Sequence, residues 1–378
     1  MHLKTLVVTS RAPDARGKGD AKAADRAIRA LHSAGHEVTV VALSPTSLPL
    51  RVANTVRAGV TGMPLQIGFT HSPQSARHVR EIVRQFDLVV AVHARAAAVI
   101  PAAVRPRSFA FLIDAYGQNY STYAPALRPG ERELYRFEAG RMRNFELLLA
   151  REFGGVGVVS EYDRAYLVKQ GANPEKVFAL PGGADVEHFE STLREPDPAH
   201  PEFVFIGRLN YMPNRDAVDR LLSEIWPAVS RALPHSTLRI IGAQPGNRLR
   251  SSIESASATL SADVPDVRDE MRRATALLVP MRMGGGIQSK ILEAMAAKLP
   301  VVCSGFANLG ISATPGEHLL IAESTDDYVK LASRLASDPA GAKRQAESAF
   351  AWVRATQSQE AFTRHLLESV DKMLQRAA

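Results

Sequence analysis

At 378 residues the chain is too long for one ordinary hydrophobic core, which predicts two domains. Hydrophobic residues make up 46% of the sequence and charged residues 22%, as in globular proteins, and no apolar run approaches the ~20 residues of a membrane span. The net charge of +7 comes without a basic block or a basic-and-aromatic pattern, which argues against a nucleic-acid binder, and the single cysteine, Cys303, excludes an internal disulfide.

The first half alternates short apolar runs with helical stretches, a pattern typical of parallel α/β layers. Gly35 suits the end of the first helix, because glycine tolerates the left-handed conformation there. In the helix predicted over about 131–153, arginines and glutamates are balanced in number, which favours an ion-paired structural helix over a lipid-binding one. Strands are predicted over residues 6–9, 37–43, 87–92, 108–113, 156–159 and 177–180, and helices over about 21–34 and 131–153.

The pattern restarts in the second half. Ser191–Pro201 contains three prolines and several acidic residues, which predicts the linker between the halves. Strands are predicted over residues 203–206, 238–241, 276–279, 301–303 and 319–321, and helices over about 214–233, 267–273, 287–297 and from 326 to the end.

A triple-glycine loop, Gly284–Gly286, lies between a predicted strand and a predicted helix. Glycines let the backbone approach a ligand closely, and a helix N-terminus favours an anion. The spacing of Gly286, Lys290 and Glu293 predicts that they share one helix face, from which Lys290 reaches a phosphate and Glu293 a ribose. A surface loop with an ordinary Lys290–Glu293 ion pair is the alternative, and the spacing alone favours neither.

Three features of the first half are candidates for binding or catalysis. Gly17–Asp20 connects the first strand to the first helix, where glycines let a loop approach a ligand, although a flexible surface turn fits as well. His93 and Asp114 each follow a strand, which is where ligands bind in open parallel sheets. A histidine in such a place is as often purely structural, so His93 stays open.

A series of short motifs occurs along the chain. They are Gly17–Asp20, Pro181–Asp185, Gly207-Arg208, Pro213-Asn214, Gly242, Val264–Val267, Pro280, Leu292–Ala296, Leu299–Val302, Gly305, Gly310 and Pro315–Leu320. In these motifs the sequence resembles family 4 retaining glycosyltransferases, and in particular the bacterial branch associated with polysaccharide systems.

The resemblance implies an α/β fold of the GT-B type, with two Rossmann-like domains and a central cleft for the active site. It implies an acceptor-side domain over residues 1–183, a nucleotide-sugar donor domain over 184–354, and a C-terminal helix over 355–378 that packs back on the first domain.

The resemblance also assigns roles to single residues. Arg208 and Lys290 would hold the donor diphosphate, Glu293 the ribose, and Val264 would lie beside the base. Asp114 would contact the sugar or the acceptor. The catalytic set is Asp114, His93, Arg208 and Lys290, and the donor-binding set adds Gly17, Gly19, Gly207, Val264, Gly284, Gly285, Gly286 and Glu293.

The sequence departs from the family at two positions. Gly285 stands where the first of two donor-site glutamates is usual, and Asn214 lies near the usual position of a lysine. Lys290 is the expected replacement for that lysine.

We therefore expect a hexosyltransferase that moves a sugar from a nucleotide diphosphate sugar, a UDP-sugar before a GDP-sugar, to a hydroxyl of a glycan, a lipid-linked acceptor or a small molecule. Retention is implied by the resemblance. Neither an Asp-x-Asp motif nor a zinc-type His/Cys cluster occurs, so we expect no metal and no cofactor other than the co-substrate. We expect a cytoplasmic protein with at most peripheral contact at the inner membrane face. A nucleotide-sugar epimerase, a pseudo-glycosyltransferase and a non-catalytic binder are the alternatives.

Overall fold

A computed structural model describes residues 2–15, 17, 19–44, 46–182 and 184–377. The chain divides into two compact units, one formed by residues up to 182 together with those from 359 onward, the other by residues 184–358. Each unit has its own hydrophobic core. The predicted α/β class is confirmed, because each unit is built on one parallel six-stranded sheet.

The first unit is built on a sheet in the order β2-β1-β3-β4-β5-β6, with every pairing parallel. Its central strand β3 is fully buried and wholly apolar, as expected for a strand covered on both faces. The strands are β1 (Lys4–Thr9), β2 (Glu37–Ala42), β3 (Leu88–Val92), β4 (Ser108–Ile113), β5 (Gly155–Val158) and β6 (Val177–Ala179).

In the described residues, eight α-helices of this unit precede the second unit in the chain. Several of them, including α2, α3 and α4, have no counterpart in the predicted elements. They are α1 (Gly19–Ser33), α2 (Leu48–Thr61), α3 (Leu65–Thr70), α4 (Pro73–Ile82), α5 (Ala94–Ala97), α6 (Tyr116–Tyr123), α7 (Glu131–Glu152) and α8 (Glu161–Lys169).

The charged side chains of α7 do not form the predicted ion pairs within the helix. Among the described residues, Glu152 pairs with Arg105 outside the helix, and Glu146 accepts hydrogen bonds from backbone N–H groups of α6. Arg141 donates to three backbone carbonyls at the end of α2 and just beyond it. The helix therefore uses its charges to hold neighbouring elements, which the composition of one helix could not reveal.

The second unit is built on a parallel sheet in the order β12-β11-β10-β7-β8-β9. The predicted helix over 214–233 is interrupted by a π-helical turn at Leu221–Ile225. The strands are β7 (Glu202–Ile206), β8 (Thr237–Gly242), β9 (Thr259–Ala262), β10 (Ala274–Val279), β11 (Val301–Cys303) and β12 (Leu320–Ile321). The helices are α9 (Val186–Glu190), α10 (Met212–Arg220), α11 (Trp226–Ala232), α12 (Asn247–Ser255), α13 (Val267–Met271), α14 (Ser289–Ala296), α15 (Gly305–Asn308), α16 (Thr325–Ser337) and α17 (Pro339–Gln357).

Ser191–Pro201 is not a linker, so that prediction is wrong. The segment lies within the second unit, where Arg194 donates to the backbone carbonyls of Met271 and Ala274 and the Glu195 N–H donates to the carbonyl of Arg272. The segment therefore packs against the residues that lead into β10. The last helix, α18 (Gln359–Ala377), returns to the first unit and packs on α1.

Both sheets reverse their strand order at one point. In the first unit the reversal lies between β1 and β3, and in the second between β7 and β10. Ligands of open α/β sheets bind outside the carboxyl ends of the strands at such a point. The residues that follow β1, β3, β7 and β10 are therefore the candidates for ligand binding.

Candidate functional site

The reversal in the second sheet brings together two of the predicted donor-site segments. Gly207 and Arg208 follow β7, and Pro280 begins the loop that follows β10 and leads into α14. A side chain from the first turn of α14, Lys290, reaches back to the segment after β7. The edge between β7 and β10 is therefore the candidate site of this unit.

Lys290 is buried, with only 7% of its surface exposed. Its Nζ lies 2.5 Å from Asn214 Oδ1, 3.5 Å from Met281 Sδ and 4.9 Å from the centre of the Phe205 ring. Burial lowers the pKa of Lys290 to about 7, although Glu293 opposes the shift. The hydrogen-bond acceptors of this ammonium among the described residues are uncharged, so its positive charge is poorly compensated where it lies.

Asn214 holds Lys290 in place from α10. Its Nδ2 donates to the Arg208 carbonyl at 2.9 Å while its Oδ1 accepts from Lys290. A side chain at Gly207 would collide with this amide, because an added Cβ would lie 2.8 Å from Asn214 Nδ2. Asn214 therefore links the turn after β7 to Lys290 of α14. In the sequence, Asn214 was noted only as a departure from the family pattern.

The three glycines differ in conformation and packing. Gly284 and Gly286 adopt positive φ angles of 140° and 58°, which side chains rarely accept. Gly310 lies so close that an added Cβ would be 2.1 Å from the carbonyl oxygen of Gly286. Gly285 is partly exposed and its carbonyl accepts a hydrogen bond from Gln288.

The start of α14 corrects the predicted helix face. The helix begins at Ser289, not at Ile287, so Gly286 lies before it and does not share a helix face with Lys290 and Glu293. Lys290 points into the protein, whereas Glu293 is partly exposed.

The start of α14 has no side-chain cap. Gln288, at the N-cap, makes no side-chain capping bond to the first N–H groups of the helix. Such an end favours an anion.

Arg208 and Val264 lie along the same carboxyl edge. Arg208 is exposed, and its guanidinium makes one long contact, 3.5 Å, with Gln244 Oε1. Val264 follows β9 and is partly buried against the core. Between them, the Gln244 N–H donates to Asp263 at 3.0 Å, so polar groups follow β8 and β9 as well.

In the first unit, His93 lies at the carboxyl end of β3 with a positive φ of 83°. Its Nδ1 accepts from the Arg95 N–H at 3.1 Å, so its proton is on Nε2, which donates to the Tyr116 hydroxyl at 3.0 Å. Burial, and then Arg95, lower the pKa of His93 to about 3, so the ring is neutral. Both ring nitrogens are thus occupied, and His93 positions Tyr116. Sequence reasoning did not assign this role to Tyr116.

Asp114 follows β4, is partly exposed, and lies near two buried acids, Asp163 and Glu146. Burial and the neighbouring Asp163 raise the pKa of Asp114 to about 7. Burial also raises the pKa of Asp163, which accepts from the Ala115 N–H, and the pKa of Glu146, to about 8. Asp163 and Glu146 hold the backbone that follows Asp114, whereas no hydrogen bond to the Asp114 carboxyl occurs among the described residues. Asp114 is therefore able to exchange a proton near neutral pH.

The loop of Gly17 and Gly19 is described only in part, since Arg16 and Lys18 lie outside the described residues. Gly19 is the first residue of α1, which begins two residues earlier than predicted, and space around it is open. Asp20 accepts from Ser10 and Arg11 at 3.0 and 2.7 Å. Although burial opposes the shift, Arg11 lowers the pKa of Asp20.

Within the described residues, no three His, Cys, Asp or Glu side chains are grouped in a way that could hold a metal ion. No helix that they form has the length and apolar character to cross a membrane.

Comparison with known proteins gives two family matches that do not overlap. Residues 19–188 match the family Glycosyltransferase Family 4, and residues 200–338 match the family Glycosyl transferases group 1. Together they span most of the chain. Among curated proteins, none matches the sequence.

Several solved structures share the fold. HepE of Anabaena, solved in complex with UDP and glucose, has a TM-score of 0.65 and 13% identity, covering 98% of this chain and 100% of HepE. Sucrose-phosphate synthase of Thermosynechococcus elongatus has a TM-score of 0.68 and 15% identity, covering 99% and 100%. The trehalose 6-phosphate synthase of Burkholderia multivorans has a TM-score of 0.65 and 13% identity, covering 100% of both chains.

These likenesses confirm the predicted GT-B fold, with two parallel sheets flanked by helices. Both matching families are families of glycosyltransferases. The chain is therefore a glycosyltransferase with the GT-B fold, whose first half matches Glycosyltransferase Family 4 and whose second half matches Glycosyl transferases group 1.

Proposed function

We propose that this enzyme transfers a hexose from a UDP-sugar to an acceptor hydroxyl, with retention at the anomeric carbon and without a metal ion. One observation supports the donor site above all others. Lys290 is a buried amine beside uncharged acceptors, at the point where the second sheet reverses its strand order. An anion bound next to it would favour its protonated form and compensate the charge.

The donor diphosphate is the anion that fits this place. Lys290 and Arg208 bind and neutralise it, and the backbone N–H groups of Gly284–Gly286 and of the first turn of α14 add hydrogen bonds. Val264 lies beside the base, and Glu293 binds the ribose. These protein cations would do the work that a metal ion does in other transferases, so the reaction does not need one.

The choice of UDP is supported by likeness alone. HepE was solved with UDP and with UDP-glucose, and TarM of S. aureus, whose match covers 78% of this chain and 58% of TarM with 13% identity, was solved with UDP. Retention rests on the resemblance to family 4.

In the first unit we propose that Asp114 contacts the sugar or the acceptor. Its pKa of about 7 allows it to accept a proton from a hydroxyl at neutral pH. His93 acts through Tyr116, because both of its ring nitrogens are already hydrogen-bonded. Gly17 and Gly19 keep the donor-binding role that the resemblance implies for the loop after β1, and the space around Gly19 is open.

A thermal-shift panel with UDP-, GDP-, ADP- and dTDP-sugars tests the donor class. A bound ligand stabilises by RT ln(1 + [L]/Kd), so UDP-sugars should raise the unfolding temperature most. Product analysis with the preferred donor then tests the reaction. A new α-glycoside from an α-linked donor, formed equally with a chelator present, is the expected result. An isomerised sugar nucleotide would identify an epimerase, and no turnover with any acceptor class would identify a binder.

A further inference from the structure

Large apolar side chains are exposed mainly in one region of the first unit. Of the twelve that are exposed in the described residues, eight lie in α2, α3 and the first half of α7. They are Leu48, Leu50, Val52, Val56, Val60, Phe69, Leu134 and Phe137. A concentration of this kind in a protein surface marks a site of contact with something else.

Four of these side chains form a regular stripe along α2. Leu48, Val52, Val56 and Val60 follow one another at intervals of four residues and are 66%, 54%, 64% and 84% exposed. Residues at this spacing lie on one side of a helix, and the stripe is about 18 Å long. The opposite side packs on α3 and buries Ala58, so α2 is held on the protein while its apolar side faces outward.

The charged residues of α2 are both arginines, and α3 has no charged residue. Neither α2 nor α3 contains an acidic residue, whereas Arg57 is exposed and Arg51 lies over the ring of Phe69, 5.4 Å from its centre. At the far end, Arg141 binds carbonyls at the end of α2 and lies 4.3 Å from the centre of the exposed Phe137 ring. The nearby Glu138 is buried and accepts from the Leu65 N–H. We call Leu48, Val52, Val56, Val60, Phe69, Arg51 and Arg57 the α2–α3 face.

We propose that the α2–α3 face binds the surface of an anionic lipid bilayer, with the aliphatic stripe among the headgroups and the arginines on lipid phosphates. An apolar stripe flanked by arginines, on a helix without acids, is the combination that binds such an interface. A second copy of the chain is a poorer occupant. Two such faces in contact would bring four arginines together, and neither α2 nor α3 offers a carboxylate to neutralise them.

Co-sedimentation with vesicles tests the proposal on the full chain. We expect binding to vesicles of phosphatidylcholine with phosphatidylglycerol at least tenfold stronger than to phosphatidylcholine alone, weakening as salt is raised. The double variant Val52→Asp with Val56→Asp should bind the anionic vesicles at least tenfold less. Leu193→Asp is the matched control, since Leu193 is 70% exposed but lies in the second unit, and it should bind like the unaltered protein.

Three results would overturn the proposal. They are absence of binding to anionic vesicles, unchanged binding by the double variant, and a dimer in sedimentation velocity that the double variant abolishes. Circular dichroism confirms that the variants fold, which is expected because the altered side chains are exposed. The donor site lies in the other unit, so donor affinity of the double variant is measured separately and reports on the proposed function alone.

Discussion

Replacing Lys290 with Met should stabilise the protein at neutral pH while weakening donor binding. The pKa of Lys290 lies near 7 instead of the ordinary 10.5, because burial disfavours the charged form. At pH 7, where Lys290 is about half protonated in the folded protein, this gap corresponds to about 4 kcal/mol of lost stability. Met has a similar shape and adjoins Met281 and Phe205, but it leaves Asn214 Oδ1 without its donor, at a cost of about 1 kcal/mol. The expected net gain is therefore about 3 kcal/mol.

The gain must depend on pH in one direction. Because the folded-state pKa is below the unfolded one, the unfolded chain binds the proton more strongly between pH 7 and 10.5. The destabilisation by Lys290 is thus fully present below pH 7 and disappears as the pH rises toward 10.5. Urea unfolding of the variant and of the unaltered protein should differ at about pH 6.5 and converge near pH 10.

Lys298→Met provides the matched control. Lys298 belongs to the same unit, but it is exposed and its ammonium lies over the ring of Phe350, 4.7 Å from the centre. This variant should show no gain that depends on pH. The reasoning would be refuted if Lys290→Met were no more stable than the unaltered protein at pH 6.5, or if its advantage were the same at pH 10.

Three further predictions concern the two candidate sites. In calorimetry, the association constant for UDP-glucose should fall up to about tenfold per pH unit above pH 7, because the anion binds the protonated Lys290, and Lys290→Arg should remove this slope. Gly310→Ala should displace Gly286 and weaken UDP-glucose binding at least tenfold, because the new Cβ would lie 2.1 Å from the Gly286 carbonyl oxygen. The control Gly246→Ala should bind UDP-glucose normally, because the space around Gly246 is open. Asp114→Asn should slow transfer at least a hundredfold and remove from the rate profile a pKa near 7, with UDP affinity unchanged; an intact pKa in that variant would assign the titration to another group.

The sheets were predictable because their strands are apolar runs that end at polar or glycine residues, such as Ser108–Ile113 and Val301–Cys303. Their order in each sheet was not, since the side-chain pattern of a buried parallel strand is the same at every position. The linker was misplaced because a segment rich in proline and acidic residues can also pack on its own unit. Ser191–Pro201 does so through Arg194 and Glu195, which contact the residues before β10.

The site could be predicted to the level of segments. The spacing of Gly284–Gly286 and Lys290 identified the loop and the helix that follow β10. It could not reveal that Lys290 turns inward to Asn214, 76 positions away in the sequence, because that contact depends on how β7 and β10 pair. In the same way, the sequence identified His93 and Asp114 at strand ends, whereas Tyr116, Asp163 and Glu146 come from other elements that only the fold brings together.

A crystal structure of the enzyme with an unhydrolysed UDP-sugar tests the account most directly. The account predicts diphosphate oxygens within hydrogen-bonding distance of Lys290 Nζ, the Arg208 guanidinium and the N–H groups of Gly284–Gly286. A nucleotide bound at any other place, with Lys290 still held by Asn214 alone, would contradict it.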